Sequence, residues 1–533
     1  MPSEKSVFNA SSVISNTMPS TRLALANSVA LALLLGTGTV LAPTHAFAAD
    51  TQEGGTAERS PDPLSVRSLA PPSVLGSLGK SAAGATPASE PADLAPCRFD
   101  AGAPTQALSL ADIVDRALCQ NPQTRAAWAS TRAATAQVGV ARSAFLPTLS
   151  GTVSASRNRS DGSASSRSSS AFNQESAGLS ASYVLYDFGA RDAALQNALQ
   201  TLTATRLTQD ATLQRTFFNV VQAYYTLFST RAAVDAARES ERSTEASLKA
   251  ATARYDAGTG TPADRLQART AFSQAAFNRI QAEGAARNAQ GALANAVGLD
   301  ANTTVDVAPP IVKLPDEKFD QDVRGVIDDA RQRRPDLAAA EAQVKAAQAN
   351  VAAARAAGMP SISVSTSASF SDTSISPSFQ NQAIGISLSV PIFSGYGTTY
   401  RIQAAEAQVE NQIAQRDSLR LQIALDVWQA YNALNTGSQS VKSSADLVAS
   451  ADASARVALG RYQAGVGTII DLLTAQTALA SARQQNIQAT YSWQIARAQL
   501  AQAMGRLDID ALGSLNRGGA LMAPAVPAAA GKP

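Results

Sequence analysis

Histidine is almost missing from this 533-residue chain, and the single one, His45, stands in a segment that reads as a cleavable export signal. A mature chain without it has no imidazole for acid–base chemistry, and two cysteines without histidine do not make a zinc site. The chain therefore reads as a non-enzyme with no cofactor and no metal. Net charge is also scarce. Lys plus Arg number 44 against 42 Asp plus Glu, and losing Lys5, Arg22 and Glu4 with the signal leaves 42 − 41 = +1. No basic stripe offers itself to nucleic acid. Gly76-Ser77-Leu78-Gly79-Lys80-Ser81 ends like a phosphate-binding loop, but Val74 stands where the first glycine is required. Beyond the N-terminus no apolar run is long enough for a membrane helix, which needs about 20 residues.

What is present begins with that signal. Lys5 and Arg22 precede an apolar run from Leu23 to Leu35, and Ala46-Phe47-Ala48 offers an A-x-A site with cleavage expected after Ala48. Residues 49–107 are rich in Pro, Ala, Ser and Gly and should form a flexible leader; residues 511–533 should be a disordered tail. Export permits disulfides. An even cysteine count predicts a Cys97–Cys119 bridge closing a loop worth roughly 3 kcal/mol, with two free buried thiols as the alternative.

The rest of the chain says nearly the same thing twice. Arg254-Tyr255-Asp256-Ala257-Gly258-Thr259-Gly260-Thr261 returns as Arg461-Tyr462-Gln463-Ala464-Gly465-Val466-Gly467-Thr468, an offset of 461 − 254 = 207. Asp264 and Asp471, Gln222-Ala223-Tyr224 and Gln429-Ala430-Tyr431, and Gly298 and Gly505 keep that offset. Pro122 and Pro147 match Pro335 and Pro360 at 213. So long a period is a duplicated unit, not a solenoid. The halves span 108–305 and 306–510.

Each half alternates long helices with short strands. A helix is expected from Leu110 through Asn121-Pro122 to Phe145, where Pro147 ends it. Strands follow at 148–187 and, in the second half, at 361–391. Leu149, Gly151, Val153 and Ala155 share one face of the first strand, and Ser150, Thr152, Ser154 and Ser156 the other. Ile362, Val364, Thr366, Ala368 and Phe370 alternate with Ser361 to Ser369, and Ile384, Ile386 and Leu388 continue the pattern. Strands of about 9–11 residues, apolar outside and small-polar inside, are those of a membrane β-barrel; a soluble hairpin is the alternative. Four strands cannot close a barrel, so several chains must share one wall. No proline interrupts 189–256 or 397–463. Each stretch allows about 100 Å of helix, turning back at tips near 256–262 and 463–469.

These features together resemble the TolC-like outer-membrane efflux proteins over roughly Leu108 to Asp508: the duplication, Asn121-Pro122 and Arg334-Pro335, Pro391-Ile392-Phe393-Ser394-Gly395, and the two Arg-Tyr-x-x-Gly tips. The resemblance implies a mainly α fold with a membrane β part: a homotrimer whose twelve-stranded barrel, four strands per chain, continues into a helical barrel in the periplasm. Within the family the chain is most similar to the CyaE-type branch, which serves type I secretion of adenylate cyclase-hemolysin and related toxins. The partners implied are a periplasmic adaptor, an inner-membrane ABC exporter, a secreted protein cargo and outer-membrane lipid. Carried over by position, Asp264 and Tyr462 would bond between coils at a periplasmic gate. Asp471 would form a carboxylate ring at the constriction, while Thr474 and Gly467 replace the second carboxylate and the latch arginine. The tips Gly258-Thr259-Gly260-Thr261 and Gly465-Val466-Gly467-Thr468 would dock the adaptor. A drug-efflux duct is the rival function.

Overall fold

The computed structural model describes residues 107–160, 170–310 and 323–507, all in one unit of the fold. Ala48, Cys97, the leader up to residue 106 and the tail from residue 508 lie outside them.

The first half contributes α1 (Leu110–Gln120), α2 (Pro122–Ser143), β1 (Thr148–Ser160), β2 (Ser170–Tyr186), α3 (Ala190–Asp256) and α4 (Pro262–Val297). The second repeats the order with α5 (Val323–Arg333), α6 (Pro335–Ala356), β3 (Ser361–Thr373), β4 (Ser376–Ser389), α7 (Gly397–Gln463) and α8 (Ile469–Ala503). α3 and α7 each run 67 residues without a break, as the absence of proline predicts.

One expectation needs correction: the first helix does not run through Asn121. Pro122 pushes the preceding residue out of the helical region, and Asn121 is extended at ψ 129°. The break is used twice. The Asn121 Oδ1 accepts from the Gln123 N–H at 2.8 Å and caps α2, while Nδ2 donates to the Ala296 carbonyl at 3.0 Å and holds the end of α4. Gly298 follows there with φ +90°, and a Cβ on it would lie 2.9 Å from the Asn121 Cα. Gly505, at φ +67°, meets Arg333 and Arg334 in the same way. The repeated proline and glycine positions are thus two sides of one joint. The first copy of the Gln-Ala-Tyr makes another: Tyr224 donates to the Ala308 carbonyl at 2.6 Å, pinning the connector between halves to α3.

Apolar side chains gather around these joints. Ile113, Val114, Phe217, Val220, Val221, Tyr224, Leu293 and Val297 form one core, and Ile423, Val427, Trp493 and Leu500 a second. α3 pairs with α4 as α7 pairs with α8, and α3 additionally packs on α6 and α8, joining the halves. Farther along, an ion-pair ladder replaces the core. Arg279 of α4 binds Glu241 of α3 at 2.7 Å and Glu283 at 3.1 Å, and Arg238 reaches Glu283 at 3.2 Å. Alanine at most contact positions, such as Ala251, Ala268 and Ala275, lets the helices approach closely.

The four strands form one antiparallel sheet in the order β1-β2-β3-β4, so the two hairpins are joined by β2 on β3. The register aligns Leu149, Ala181, Thr366 and Ile384 across all four strands on one face. Val153 is 88% exposed and Ile384 82%, an apolar face left uncovered among the described residues. The opposite face carries cross-strand hydroxyl pairs: Ser150 with Ser180 at 2.7 Å, Ser154 with Ser176 at 2.7 Å, and Ser363 with Ser387 at 2.8 Å. That is the amphipathic pattern of a barrel wall, with a hydroxyl-lined lumen. β1 and β4 remain edges whose outer backbone groups need strands from elsewhere, since an open edge in lipid leaves hydrogen bonds unmade.

Candidate functional site at the helix tips

Both tips are built by the same backbone device. At the first, Gly258 sits at φ +72°, and the N–H groups of Thr259 and Gly260 both donate to the Arg254 carbonyl, at 2.9 and 3.0 Å. At the second, Gly465 has φ +80°, and Val466 and Gly467 donate to the Arg461 carbonyl at 3.0 and 3.1 Å. Gly260 and Gly467 sit where the turn crowds the preceding helix end. A Cβ at either would come within 3.0 Å of the preceding helix end, at Tyr255 N and Arg461 Cβ. Gly467 stands where the resemblance expects a latch arginine, in a turn where a Cβ would crowd Arg461.

Thr261 and Thr468 then start the return helices as N-caps in full capping boxes. The Asp264 N–H donates to the Thr261 hydroxyl at 3.2 Å, and the Thr261 N–H donates to the Asp264 carboxylate at 3.3 Å. The Asp471 N–H donates to the Thr468 hydroxyl at 3.1 Å, and the Thr468 N–H donates to the Asp471 carboxylate at 3.3 Å. Both aspartates thus have a local duty that the Thr-x-x-Asp spacing already carries. Hydrogen bonds from Thr468, helped by the charge of Arg461, hold the Asp471 carboxyl below the usual range.

Tyr462 is buried against Ala251, Ala268, Ile469 and Leu472, a small core that joins both tips. The contact that crosses to it comes from Arg254. Its guanidinium stacks over the Tyr462 ring at 4.3 Å and donates to the carbonyls of Tyr462 and, at 3.3 Å, Gln463. Asp264 is turned instead to its own Thr261. Arg254 is the residue sequence reasoning passes over: its repetition as Arg461 is visible, but not which group it meets 208 positions away. A second crossing bond runs from the Gln476 amide to the Ser247 hydroxyl at 3.0 Å. Val466 and Ile470 are exposed at the second tip, beside an open groove lined by Gln267, Leu473, Thr474 and Thr477.

A duplicated, mainly helical chain with a four-stranded amphipathic sheet and paired helical tips defines a class, the TolC-like outer-membrane channels. The family described as outer membrane efflux protein matches residues 113–299 and 326–506, one match per half, and the chain belongs to it. Among curated relatives it is similar to protein CyaE of Bordetella pertussis, 33% identical over 76% of this chain and 86% of that one. It is also similar to the pyoverdine export outer membrane protein OpmQ of Pseudomonas aeruginosa, 28% identical over 74% and 85%. Among solved structures, the CmeC outer membrane channel of Campylobacter jejuni matches with a TM-score of 0.68 at 20% identity, covering 77% of this chain and 90% of that one. The chain has the architecture of the trimeric outer-membrane channels of this family, acts as an efflux channel rather than an enzyme, and resides in the outer membrane with its helices in the periplasm.

Proposed function

We propose that this chain is the outer-membrane duct of a type I secretion system, passing an unfolded toxin-like protein from an inner-membrane ABC exporter to the outside. The observation that carries the reading is the 33% identity to CyaE across 86% of that protein's length, set beside the CyaE-type features of the sequence. The hydroxyl-lined sheet face supports it, because a neutral, small-residue wall offers an extended polypeptide no charged trap. OpmQ, a pyoverdine export protein, supports the second reading, a small-molecule efflux duct. Deleting the chain and assaying the culture supernatant decides between them. Loss of one secreted high-mass protein at unchanged drug and siderophore tolerance is expected. Intact protein secretion with lost tolerance would leave the efflux reading.

In this proposal the tips face the adaptor, with Gly258-Thr259-Gly260-Thr261 and Gly465-Val466-Gly467-Thr468 as docking turns and Val466 as the exposed apolar contact. Asp264, Tyr462 and Asp471 belong to the gate, and Arg254 is the group that ties one tip to the other. The Cys97–Cys119 bridge belongs to the proposal as well; Cys119 lies in the last turn of α1 and no described cysteine is a free thiol. Alkylation of purified protein should label no thiol before reduction and two after it; labelling without reductant would remove the bridge.

A further inference from the structure

We infer that Arg461 ties each chain to the next in the ring, its guanidinium held by the carboxylate of Asp256 of the partner subunit. This rests on the gate reading above and extends it from a contact within one chain to a contact between chains. The offset of 207 makes Arg461 the counterpart of Arg254, Tyr462 that of Tyr255, and Gln463 that of Asp256. Within the chain, Arg254 at the end of α3 reaches across to the tip of the other half, at Tyr462 and Gln463. α3 makes this crossing because it packs on α8. The counterpart of α3 is α7, and that of α8 is α4. A ring of duplicated units repeats each neighbour contact, so α7 of one chain meets α4 of the next, and the crossing arginine becomes Arg461.

Exposure along α7 agrees. Val220 and Val427, counterparts, are both fully buried, yet the counterparts of half-buried Phe218 and buried Val221 are Leu425, 46% exposed, and Trp428, 53% exposed. At these two positions α7 is left bare where its α3 counterpart is covered inside the chain. A second copy of this chain supplies the missing cover.

The charges then select the acceptor. Arg461 and Asp256 are both exposed, and among the described residues neither makes an ion pair. The charge of Arg461 acts through space on Asp471 of its own chain. The Tyr255 ring already carries the Arg265 guanidinium at 4.2 Å, so a second cation stacked there is repelled. Asp256 adds a carboxylate where its counterpart Gln463 has none, and an arginine fork binds a carboxylate more strongly than a carbonyl.

Oxidative cross-linking tests the placement. In a Cys97→Ser/Cys119→Ser background, the pair Arg461→Cys with Asp256→Cys should give covalent dimers and trimers on non-reducing gels. The pair Arg254→Cys with Gln463→Cys should give only an intrachain link at monomer mass. Monomer-only Arg461/Asp256 product beside a linked Arg254/Gln463 control overturns the inference and leaves the gate reading standing. Failure of both pairs, or a detergent-purified mass of one chain, overturns the tip arrangement itself. As a second readout, Arg461→Glu should raise closed-state conductance at least several-fold, and adding Asp256→Arg should restore it. No restoration, with trimers intact by heat-modifiable migration, also refutes the pairing.

Discussion

Replacing Arg254 with alanine will raise the resting conductance of this channel by one to two orders of magnitude. The side chain makes charge-assisted hydrogen bonds to carbonyls of the other tip, worth about 1.5–3 kcal/mol, and stacks on Tyr462 for a further ~0.5–1 kcal/mol. If opening parts the two tips, losing about 2–3 kcal/mol from the closed arrangement multiplies the open population by about 30–150-fold. Arg254→Lys keeps the charge but not the planar fork, and should fall between wild type and alanine. Single-channel recordings in planar bilayers measure this directly, and entry of large antibiotics into cells reports it in vivo. The capping boxes and the Ala251–Leu472 core are untouched by the change, so trimers should survive in detergent. Wild-type conductance in Arg254→Ala would mean that the tips are held elsewhere, with Gln476 and Ser247 the next pair to examine.

The second large effect is expected from Asp471→Asn. An asparagine oxygen still accepts from the Thr468 N–H, so the capping box persists while the charge goes. Three carboxylates brought together at the narrow end attract cations, multivalent ones most strongly, so cation selectivity and block by periplasmic multivalent cations should both fall. Two effects compete on this carboxyl. Within one chain, Thr468 and then Arg461 lower its pKa, so its contribution to stability is present above the unfolded value and is lost as pH falls through the lowered one. A ring of three like charges acts in the opposite direction. Block by multivalent cations should therefore weaken with acidification in the wild type and be flat in Asp471→Asn. Unchanged selectivity and block in the variant would take Asp471 out of the constriction and leave it as a helix cap.

Much of this was legible in local pattern. The strands announced themselves by strict alternation, because side chains on a strand point to opposite faces every residue, and the sheet keeps Leu149 and Ile384 on one face in register. The rods followed from 67-residue stretches free of proline, and the tips from glycines that only a positive φ or a crowded turn requires. Asn121-Pro122 was legible as a pair but not as a break. The joint gains its meaning from Gly298 and the Ala296 carbonyl, about 175 positions on.

By itself the sequence determined the duplication, the two classes of element, the place of the turns and the need for partner chains to close four strands into a barrel. Each of these depends on neighbours within a few residues or on counting. Only the tertiary structure decided that β2 pairs with β3 to make one continuous sheet, that the repeated prolines and glycines meet in one joint, and that Arg254 rather than Asp264 makes the crossing to Tyr462. Those contacts join residues some 200 positions apart. Matching repeats leave their partners ambiguous, since Arg254 and Arg461 read alike until packing puts α3 against α8 and leaves the matching face of α7 uncovered.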